Sequence, residues 1–183
     1  MPNKPIAEPW LSFFKEIDRS LDSEILFHCF GGFAIDYLYG LPRSTSDADV
    51  IGMVIRPHYN HLIKLAGEGS ALHKKFGVYL DPVGTLAVVP DTYDERLIEI
   101  TPPSFNYLRL YVMEAHDIVL SKLGRNAPHD IEDVKYLAKA AKLDTAVLRE
   151  RYENELKPYV IGPPERADRT LELWIEMIEE ERA

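Results

Sequence analysis

The sequence predicts an α+β fold in which a mixed β-sheet flanked by helices is followed by a helical C-terminal part. Short apolar segments bounded by Gly and Pro occur between residues 25 and 112, which is typical of strands. From residue 114 onward, apolar residues recur at helical spacing. A chain of 183 residues, 46% hydrophobic, supports one sizeable core. We therefore predict an α/β core over residues 1–112 and a helical part over 113–183 that packs on it as one compact unit.

The first elements alternate between helix and strand. An amphipathic helix is predicted from its apolar residues at three- and four-residue spacing after a proline-rich start. A buried strand follows and ends at two glycines, and a short helix and a polar turn separate it from a strand rich in Val and Ile. The predicted ranges are 10–21 for the first helix, 25–30 for the strand, 33–39 for the short helix and 48–55 for the second strand.

The later elements are read from the same patterns. Residues 59–66 favour a helix, and several short apolar segments favour strands. These strands are predicted at 78–80, 85–89, 97–100 and 107–112, and the C-terminal helices at 114–123, 130–143, 144–156 and 167–182.

Composition excludes some classes of protein. The net charge of −9 disfavours an extended nucleic-acid surface unless a basic patch forms locally. The sequence has neither a signal-peptide pattern at its start nor about 20 consecutive apolar residues, so we expect a cytoplasmic protein that does not span a membrane. The single cysteine, Cys29, lies in the apolar run ILFHCF, which predicts a buried thiol and excludes an intrachain disulfide.

Two aspartates, Asp47 and Asp49, stand two residues apart at the start of the second strand. Residues i and i+2 of a strand point to the same face, so both carboxylates are presented side by side. Their repulsion favours a divalent cation between them, and oxygen ligands indicate Mg2+ or Mn2+. The alternative is a solvated turn in which the aspartates are ordinary loop residues.

The glycine pair Gly31–Gly32 ends one strand and opens a helix. Free backbone N–H groups and the helix dipole can hold a phosphate there, although a plain tight turn explains the same pair. If the second strand extends backward, Arg43 and Thr45 share the face of the aspartates. Arg43 would then approach a phosphate, and the alternative is a solvated loop arginine.

A lysine lies on the apolar face of the helix predicted over 114–123. On a helical wheel, Lys122 falls between Ile118 and Val119. It either extends its ammonium to water or presents a cation to a buried phosphate. Downstream, Asp130 and Asp133 are predicted to cap the next helix. His116, on the apolar side of the wheel, is predicted to be a packed histidine.

These motifs together resemble the nucleotidyltransferase superfamily, whose signature joins Gly-Gly or Gly-Ser to Asp-x-Asp. The version here is similar to the AbiEii toxin-like branch, and the downstream segments VPDTYDERL and EAHDIVLSKLGRNAPHDIEDVKYLA resemble an uncharacterised bacterial group within that superfamily. The resemblance spans about residues 25–143 and rests on Gly31, Gly32, Ala34, Gly40, Arg43, Thr45, Asp47 and Asp49.

The resemblance implies an enzyme that uses Mg2+ or Mn2+ to transfer a nucleoside monophosphate from an NTP to an RNA, such as tRNA, or to a protein. It also implies a toxin with an antitoxin protein as partner. Lys122 and Arg125 would neutralise nucleotide phosphates, and Asp130 would orient Lys122. The predicted nucleotide-binding residues are therefore Gly31, Gly32, Arg43, Thr45, Lys122 and Arg125.

Many nucleotidyltransferases use a third carboxylate from a neighbouring strand, and the sequence leaves its identity open. Asp81 is preferred because Pro82 holds it extended at a predicted strand end, and Glu99 and Asp94 are the alternatives. Asp81 would complete the metal site or accept the proton of the acceptor. The predicted catalytic residues are Asp47, Asp49, Asp81 and Lys122, with the three aspartates as metal ligands.

A different class of function is also consistent with the sequence. An inactive nucleotidyltransferase-like module would bind a nucleotide or a partner protein without turnover. The apolar side of the last helix would be its interaction surface, although core packing explains the same pattern. That side carries Leu171, Trp174, Ile175 and Ile178.

Overall fold

The computed structural model describes residues 4–51, 56–83, 88–160 and 162–182. Eight α-helices and five strands are assigned within these ranges. The strands are β1 (Ile25–Phe30), β2 (Asp47–Ile51), β3 (Tyr79–Pro82), β4 (Ile98–Glu99) and β5 (Leu108–Val112). The helices are α1 (Trp10–Ser20), α2 (Gly31–Tyr39), α3 (Arg56–Ala66), α4 (Ala71–Phe76), α5 (Ala115–Lys122), α6 (Pro128–Ala140), α7 (Thr145–Arg151) and α8 (Glu165–Arg182).

The five strands form one mixed sheet in the order β3-β2-β1-β5-β4. Strand β1 runs antiparallel to β2 and parallel to β5. Strand β2 runs parallel to β3, and β4 runs antiparallel to β5. The predicted α+β fold class, a mixed sheet flanked by helices with a helical C-terminal part, is thereby confirmed.

Element boundaries in the middle of the chain differ from the predictions. Residues 52–55 of the predicted second strand and 85–87 of the predicted strand 85–89 lie outside the described residues, and Val88 and Val89 are not in a strand. Helix α4 was not predicted because its six residues are too few to show a periodic pattern. Its start is nevertheless encoded locally, since the Ser70 hydroxyl accepts a hydrogen bond from the backbone N–H of His73.

The described residues group into two compact units. The first lies within residues 1–85 and 97–113 and contains the sheet. The second lies within residues 86–96 and 114–183 and contains the C-terminal helices. The sequence division placed the boundary at 112/113 and assigned residues 86–96 to the α/β core; the described residues of this segment, 88–96, group with the C-terminal helices.

The core of the first unit is formed where α1 and α2 pack their apolar residues together. Phe13, Phe14 and Ile17 of α1 are fully buried, as the amphipathic pattern predicted. The rings of Trp10 and Phe33 lie 4.8 Å apart, which joins α1 to α2. Cys29 on β1 is also fully buried, and burial raises the pKa of its thiol well above the ordinary value. The prediction of a packing role for this cysteine is confirmed.

The second unit is built around α5, α6 and α8. The residues of α8 that were considered as an interaction surface are buried: Leu171, Trp174, Ile175 and Ile178 are at most 3% exposed. These four residues therefore pack in the core, which was the alternative considered for them. None of the described helices has both the length and the apolar composition that crossing a bilayer requires.

A buried ion-pair network fixes the start of α5 in the second unit. Asp117 is completely buried and accepts hydrogen bonds from two guanidinium groups, those of Arg96 and Arg151. His116 uses both ring nitrogens, one facing the Glu114 carboxylate at 2.9 Å and the other the Asp144 N–H at 2.9 Å. His116 is therefore a packed, hydrogen-bonded histidine, as predicted.

Candidate active site

Three carboxylates converge at one edge of the sheet. Strand β2 carries Asp47 and Asp49 on the same face, because side chains alternate along a strand. The neighbouring strand β3 pairs in parallel, with Asp49 opposite Asp81. Ligand oxygens of all three aspartates lie within 4.8 Å of one another. The carboxylates are thus close enough to share one bound cation or a pair of cations.

The pairing of β2 with β3 distinguishes the candidates for the third carboxylate. Asp81 lies on β3, next to β2. Glu99 lies on β4, which is the opposite edge strand of the same sheet. Asp94 belongs to a short 3-10 helix, Tyr93–Arg96, of the second unit. Within the first unit, Asp81 is therefore the residue that the structure brings to the aspartate pair.

The electrostatics of the site favour a cation. Burial raises the pKa of Asp81 above its ordinary value, and repulsion from Asp47 and Glu68 raises it further. A divalent cation would relieve this repulsion, and a donor set of carboxylate oxygens suits the hard ions Mg2+ and Mn2+. The residues present therefore fit a metal of this type.

Gly31 makes room for one of the aspartates. It is the first residue of α2 and adopts a φ of +64°, in the left-handed region. A Cβ atom at this position would lie 1.9 Å from the Asp49 carboxylate oxygen Oδ2. The sequence predicted a close approach by a ligand, and the structure shows that the group closest to this glycine is Asp49 itself.

Replacing this glycine should disturb both the backbone and the site. We expect Gly31→Ala to lower the free energy of unfolding by about 1–3 kcal/mol, since a non-glycine residue in the left-handed region is strained. The added methyl group must also displace the Asp49 carboxylate. Urea unfolding monitored by circular dichroism measures the first effect. Gly69→Ala is the matched control, because Gly69 also has a positive φ, +75°, but open space around its Cβ position. Equal Mn2+ affinity for the two variants would contradict the displacement of Asp49.

Arg43 and Thr45 precede the strand rather than extending it. Strand β2 begins at Asp47, so it does not extend backward to these residues, which was the condition for placing them on the face of the aspartates. Both nevertheless approach Gly32: a Cβ there would lie 2.8 Å from Thr45 Oγ1 and 3.8 Å from an Arg43 guanidinium nitrogen. The Thr45 hydroxyl donates a hydrogen bond to Asp47 Oδ1 at 3.0 Å. The loop therefore brings both side chains to the glycine pair without strand geometry.

The phosphate-binding role of the glycine pair stays a prediction. Gly31 and Gly32 are the first two residues of α2, a helix of nine residues that directly follows β1. The first N–H groups of a helix have no carbonyl partner within that helix and carry the positive end of its dipole. This geometry suits an anionic oxygen next to the aspartate cluster.

Lys122 is enclosed by carboxylates in the second unit. Its side chain is about 5% exposed, and its ammonium contacts Asp130 at 3.2 Å and Asp133 at 3.0 Å. The alternative in which this lysine extends to water is therefore wrong. The direct contact with Asp130 agrees with the orienting interaction that the resemblance implied. The expected roles of Lys122 and Arg125 at nucleotide phosphates stay predictions.

Asp130 also organises the start of α6. Its carboxylate accepts a hydrogen bond from the Ala127 N–H at 2.9 Å, as expected of a capping residue, and pairs with Arg125 at 2.6 Å. Burial alone would raise the pKa of Asp130, but Arg125, the Ala127 N–H and Lys122 together lower it to about 2. Asp133, the other predicted cap, instead binds Lys122.

Tyr79 is a neighbour of the site that the sequence reading missed. It lies on β3 opposite Asp47, and its ring centroid is 4.8 Å from that of His73. Burial raises the pKa of its phenol, and the nearby carboxylates raise it further. The two-residue spacing of Tyr79 and Asp81 was the available signal, since it places both on one face of a strand.

Removing the charge of the third carboxylate should stabilise the metal-free protein. The Asp81 side chain is exposed, so solvent screens the repulsion; for Asp81→Asn in EDTA at pH 8 we therefore expect a Tm higher by only about 1 °C, corresponding to about 0.3 kcal/mol. A raised pKa means that the folded state favours the protonated carboxyl, so wild-type stability falls as the pH rises through that pKa. Thermal scans from pH 3 to 8 should show the difference vanish at the acidic end. A lower Tm for the variant at pH 8 would contradict the repulsion.

The family of the chain follows from a comparison with known families. A family model described as nucleotidyltransferase of unknown function (DUF6036) matches residues 11–182, nearly the whole chain. The chain belongs to this family. The nucleotidyltransferase resemblance is thus confirmed at the level of the superfamily, whereas membership of the AbiEii-like branch is a finer assignment. The match includes all of the residues that form the aspartate cluster.

Comparisons with solved structures and with curated proteins add little to the family assignment. The DUF6036 chain is similar to a crystal structure from H. pylori described as a "putative nucleotidyltransferase", with 14% sequence identity, a TM-score of 0.36 and 96% coverage of each chain. No curated protein matches the sequence.

Proposed function

We propose that this DUF6036 protein is a metal-dependent nucleotidyltransferase that moves a nucleoside monophosphate from an NTP to an acceptor hydroxyl. The observation that supports this proposal is the convergence of Asp47, Asp49 and Asp81 within 4.8 Å. The glycine pair lies against the same cluster, with Gly31 in contact with Asp49. A carboxylate cluster beside a helix N-terminus combines the two elements that bind a metal-nucleotide complex.

The reaction forms one bond and breaks another at the α-phosphorus. The acceptor oxygen bonds to the α-phosphorus, the bond to the oxygen bridging the α- and β-phosphates breaks, and pyrophosphate leaves. Asp47, Asp49 and Asp81 would hold Mg2+ or Mn2+, which in such sites neutralises charge on the phosphoryl oxygens. The acceptor proton would pass to solvent or, if Asp81 is not itself a metal ligand, to the Asp81 carboxylate.

The remaining residues would bind and orient the triphosphate. The backbone N–H groups at Gly31 and Gly32 would donate hydrogen bonds to phosphate oxygens, and Arg43 would supply a positive charge in the adjacent loop. The assignment of Lys122 and Arg125 to the phosphates rests on the sequence resemblance. In the second unit their two positive charges are matched by the two carboxylates of Asp130 and Asp133.

The net charge of the protein bears on which class of acceptor it would use. A net charge of −9 disfavours a broad contact with RNA, which favours a protein side chain or a compact acceptor over a long polynucleotide. An RNA acceptor such as tRNA, together with an antitoxin partner, would place the protein in the AbiEii-like toxin branch. The acceptor experiment separates these outcomes.

The test is incubation of the purified chain with each α-labelled NTP, Mg2+ and cell extract, followed by separation of RNA from protein. We expect pyrophosphate to be released and an equal amount of label to move to the protein fraction, the RNA fraction or, for a compact acceptor, a small-molecule product. Label on RNA supports the toxin branch, and growth arrest on expression would strengthen it. Asp47→Asn is the inactive control, and EDTA should abolish the transfer.

An absence of both label and pyrophosphate with all four NTPs would contradict the proposal. The chain would then be a binding module without turnover. Loss of nucleotide binding in Asp47→Asn would not distinguish the two functions, because both require the same site. Turnover is therefore the decisive measurement.

A further inference from the structure

The hydroxyl of Thr45 is directed at a proposed metal ligand. Thr45 Oγ1 lies 3.0 Å from Asp47 Oδ1 and 3.2 Å from the Asp47 backbone oxygen. We infer that Thr45 is a positioning residue that orients the Asp47 carboxylate for metal binding and does not bind the nucleotide phosphates. This inference rests on the proposed function, because it assumes that Asp47 holds a metal.

A hydrogen bond from the Thr45 hydroxyl to Asp47 leaves this hydroxyl no hydrogen to donate to a phosphate oxygen. A threonine hydroxyl has a single hydrogen to donate, and both of the acceptors near Thr45 Oγ1 belong to Asp47. Phosphate oxygens are also acceptors, so they would compete with Asp47 for the same hydrogen. A hydrogen bond to Oδ1 leaves the second carboxylate oxygen and the remaining lone pairs of Asp47 available to a cation.

The position of Asp47 makes this contact important. Asp47 is the first residue of β2 and pairs with Tyr79 of β3 on one side, whereas the pairing of β2 with β1 on the other side begins only at Asp49. A carboxylate at a strand terminus retains rotational freedom unless a neighbour restricts it. The Thr45 hydroxyl supplies that restriction through its hydrogen bond to Asp47 Oδ1, with the backbone oxygen of the same residue 3.2 Å away as the alternative acceptor.

Gly32 supports the same arrangement from the other side. A Cβ atom on Gly32 would lie 2.8 Å from Thr45 Oγ1, closer than such atoms approach, and 3.2 Å from Thr45 Cβ, which is tighter than most such contacts. Gly32 therefore leaves the space that Thr45 occupies. It follows that Gly32→Ala should displace Thr45 and weaken metal binding even when no nucleotide is present.

The experiment measures Mn2+ affinity of the nucleotide-free protein by the electron paramagnetic resonance signal of free Mn2+. We expect Thr45→Val, which keeps the shape but removes the hydroxyl, to bind Mn2+ about 10–100-fold more weakly. Thr45→Ser should restore the affinity to within about threefold of wild type, and Gly32→Ala should resemble Thr45→Val. Ser44→Ala, which removes an exposed hydroxyl one residue away, is the matched control and should leave the affinity unchanged.

Kinetics separate positioning from phosphate binding. At saturating Mn2+, the KM of Thr45→Val for NTP should stay within about twofold of wild type, since Thr45 does not contact the nucleotide. Unchanged Mn2+ affinity with a raised KM for NTP would overturn the inference and make Thr45 a phosphate ligand. Wild-type Mn2+ affinity in Gly32→Ala would also contradict it. Thermal unfolding of each variant in EDTA confirms that the comparison is between folded proteins.

The Mn2+ measurements distinguish an error in the proposed metal site from an error in the role of Thr45. If wild type and Asp47→Asn both lack Mn2+ binding, the proposed metal site is wrong and the inference about Thr45 falls with it. If wild type binds Mn2+ through Asp47 but Thr45→Val binds equally well, only the inference about Thr45 is wrong.

Discussion

Asp49→Asn is expected to lower kcat for nucleotidyl transfer by about 10³-fold, while the protein stays folded. Asp49 is central to the carboxylate cluster because it pairs in register with Asp81 on β3 and contacts Gly31 through its Oδ2. Asparagine preserves the shape of the side chain but removes the negative charge that a divalent cation requires. Metal ions contribute several kcal/mol to the stabilisation of charge in phosphoryl transfer, and about 4 kcal/mol corresponds to a thousandfold change in rate.

The measurement is pyrophosphate release at saturating NTP and Mg2+, with the labelled acceptor fraction counted in parallel. Asp22→Asn is the matched control, since it neutralises an exposed aspartate of the same unit and should leave the rate unchanged. A rate for Asp49→Asn within tenfold of wild type would mean that the cluster does not hold the catalytic cation.

The parts of the site that depend on local periodicity could be predicted from the sequence. Strand β1 occupies the predicted range because its apolar run follows a polar segment and ends at two glycines. Asp47 and Asp49 share a face because alternation along a strand is a local rule. The helical wheel likewise predicted that the stem of Lys122 faces inward, and the side chain is about 5% exposed.

The parts that depend on pairing between distant segments could not be predicted in the same way. Asp81 lies close to Asp47 and Asp49 only because β3 pairs with β2. From the sequence, Asp81 could only be preferred as the third carboxylate, because Pro82 holds it in an extended conformation. The contact between Gly31 and Asp49 depends on the antiparallel register that places Phe30 opposite Asp49. A register between strands is a tertiary property that a single sequence does not display.

The ion pairs of the second unit show the same limit. Asp117 lies within the helix predicted over 114–123, but its partners Arg96 and Arg151 lie 21 and 34 residues away along the chain. The wheel likewise placed Lys122 inward without identifying what would compensate its charge. The residues that do so are Asp130 and Asp133. Their positions in the sequence predicted caps, because capping is the commoner role of an acid near a helix start, and only the family resemblance linked Asp130 to Lys122.

Lys122→Met should therefore be the most destabilising of the substitutions considered, lowering the free energy of unfolding by about 3–5 kcal/mol. Methionine fills a similar volume, but it removes the ammonium that contacts both Asp130 and Asp133, whose carboxylates are at most 1% exposed. Asp130 keeps its ion pair with Arg125, so the larger loss falls on Asp133. Chemical unfolding in urea at pH 7 measures the loss.

Lys139→Met is the control. Lys139 pairs with Glu181 at the surface, its side chain is 64% exposed, and such pairs contribute about 0–1 kcal/mol. Adding Asp133→Asn to Lys122→Met should recover part of the loss, since it removes one of the uncompensated charges. A loss below about 1 kcal/mol for Lys122→Met would show that the Lys122 ammonium of the wild-type protein is solvated. A folded variant that loses only its affinity for NTP would support the phosphate role that the sequence resemblance implies.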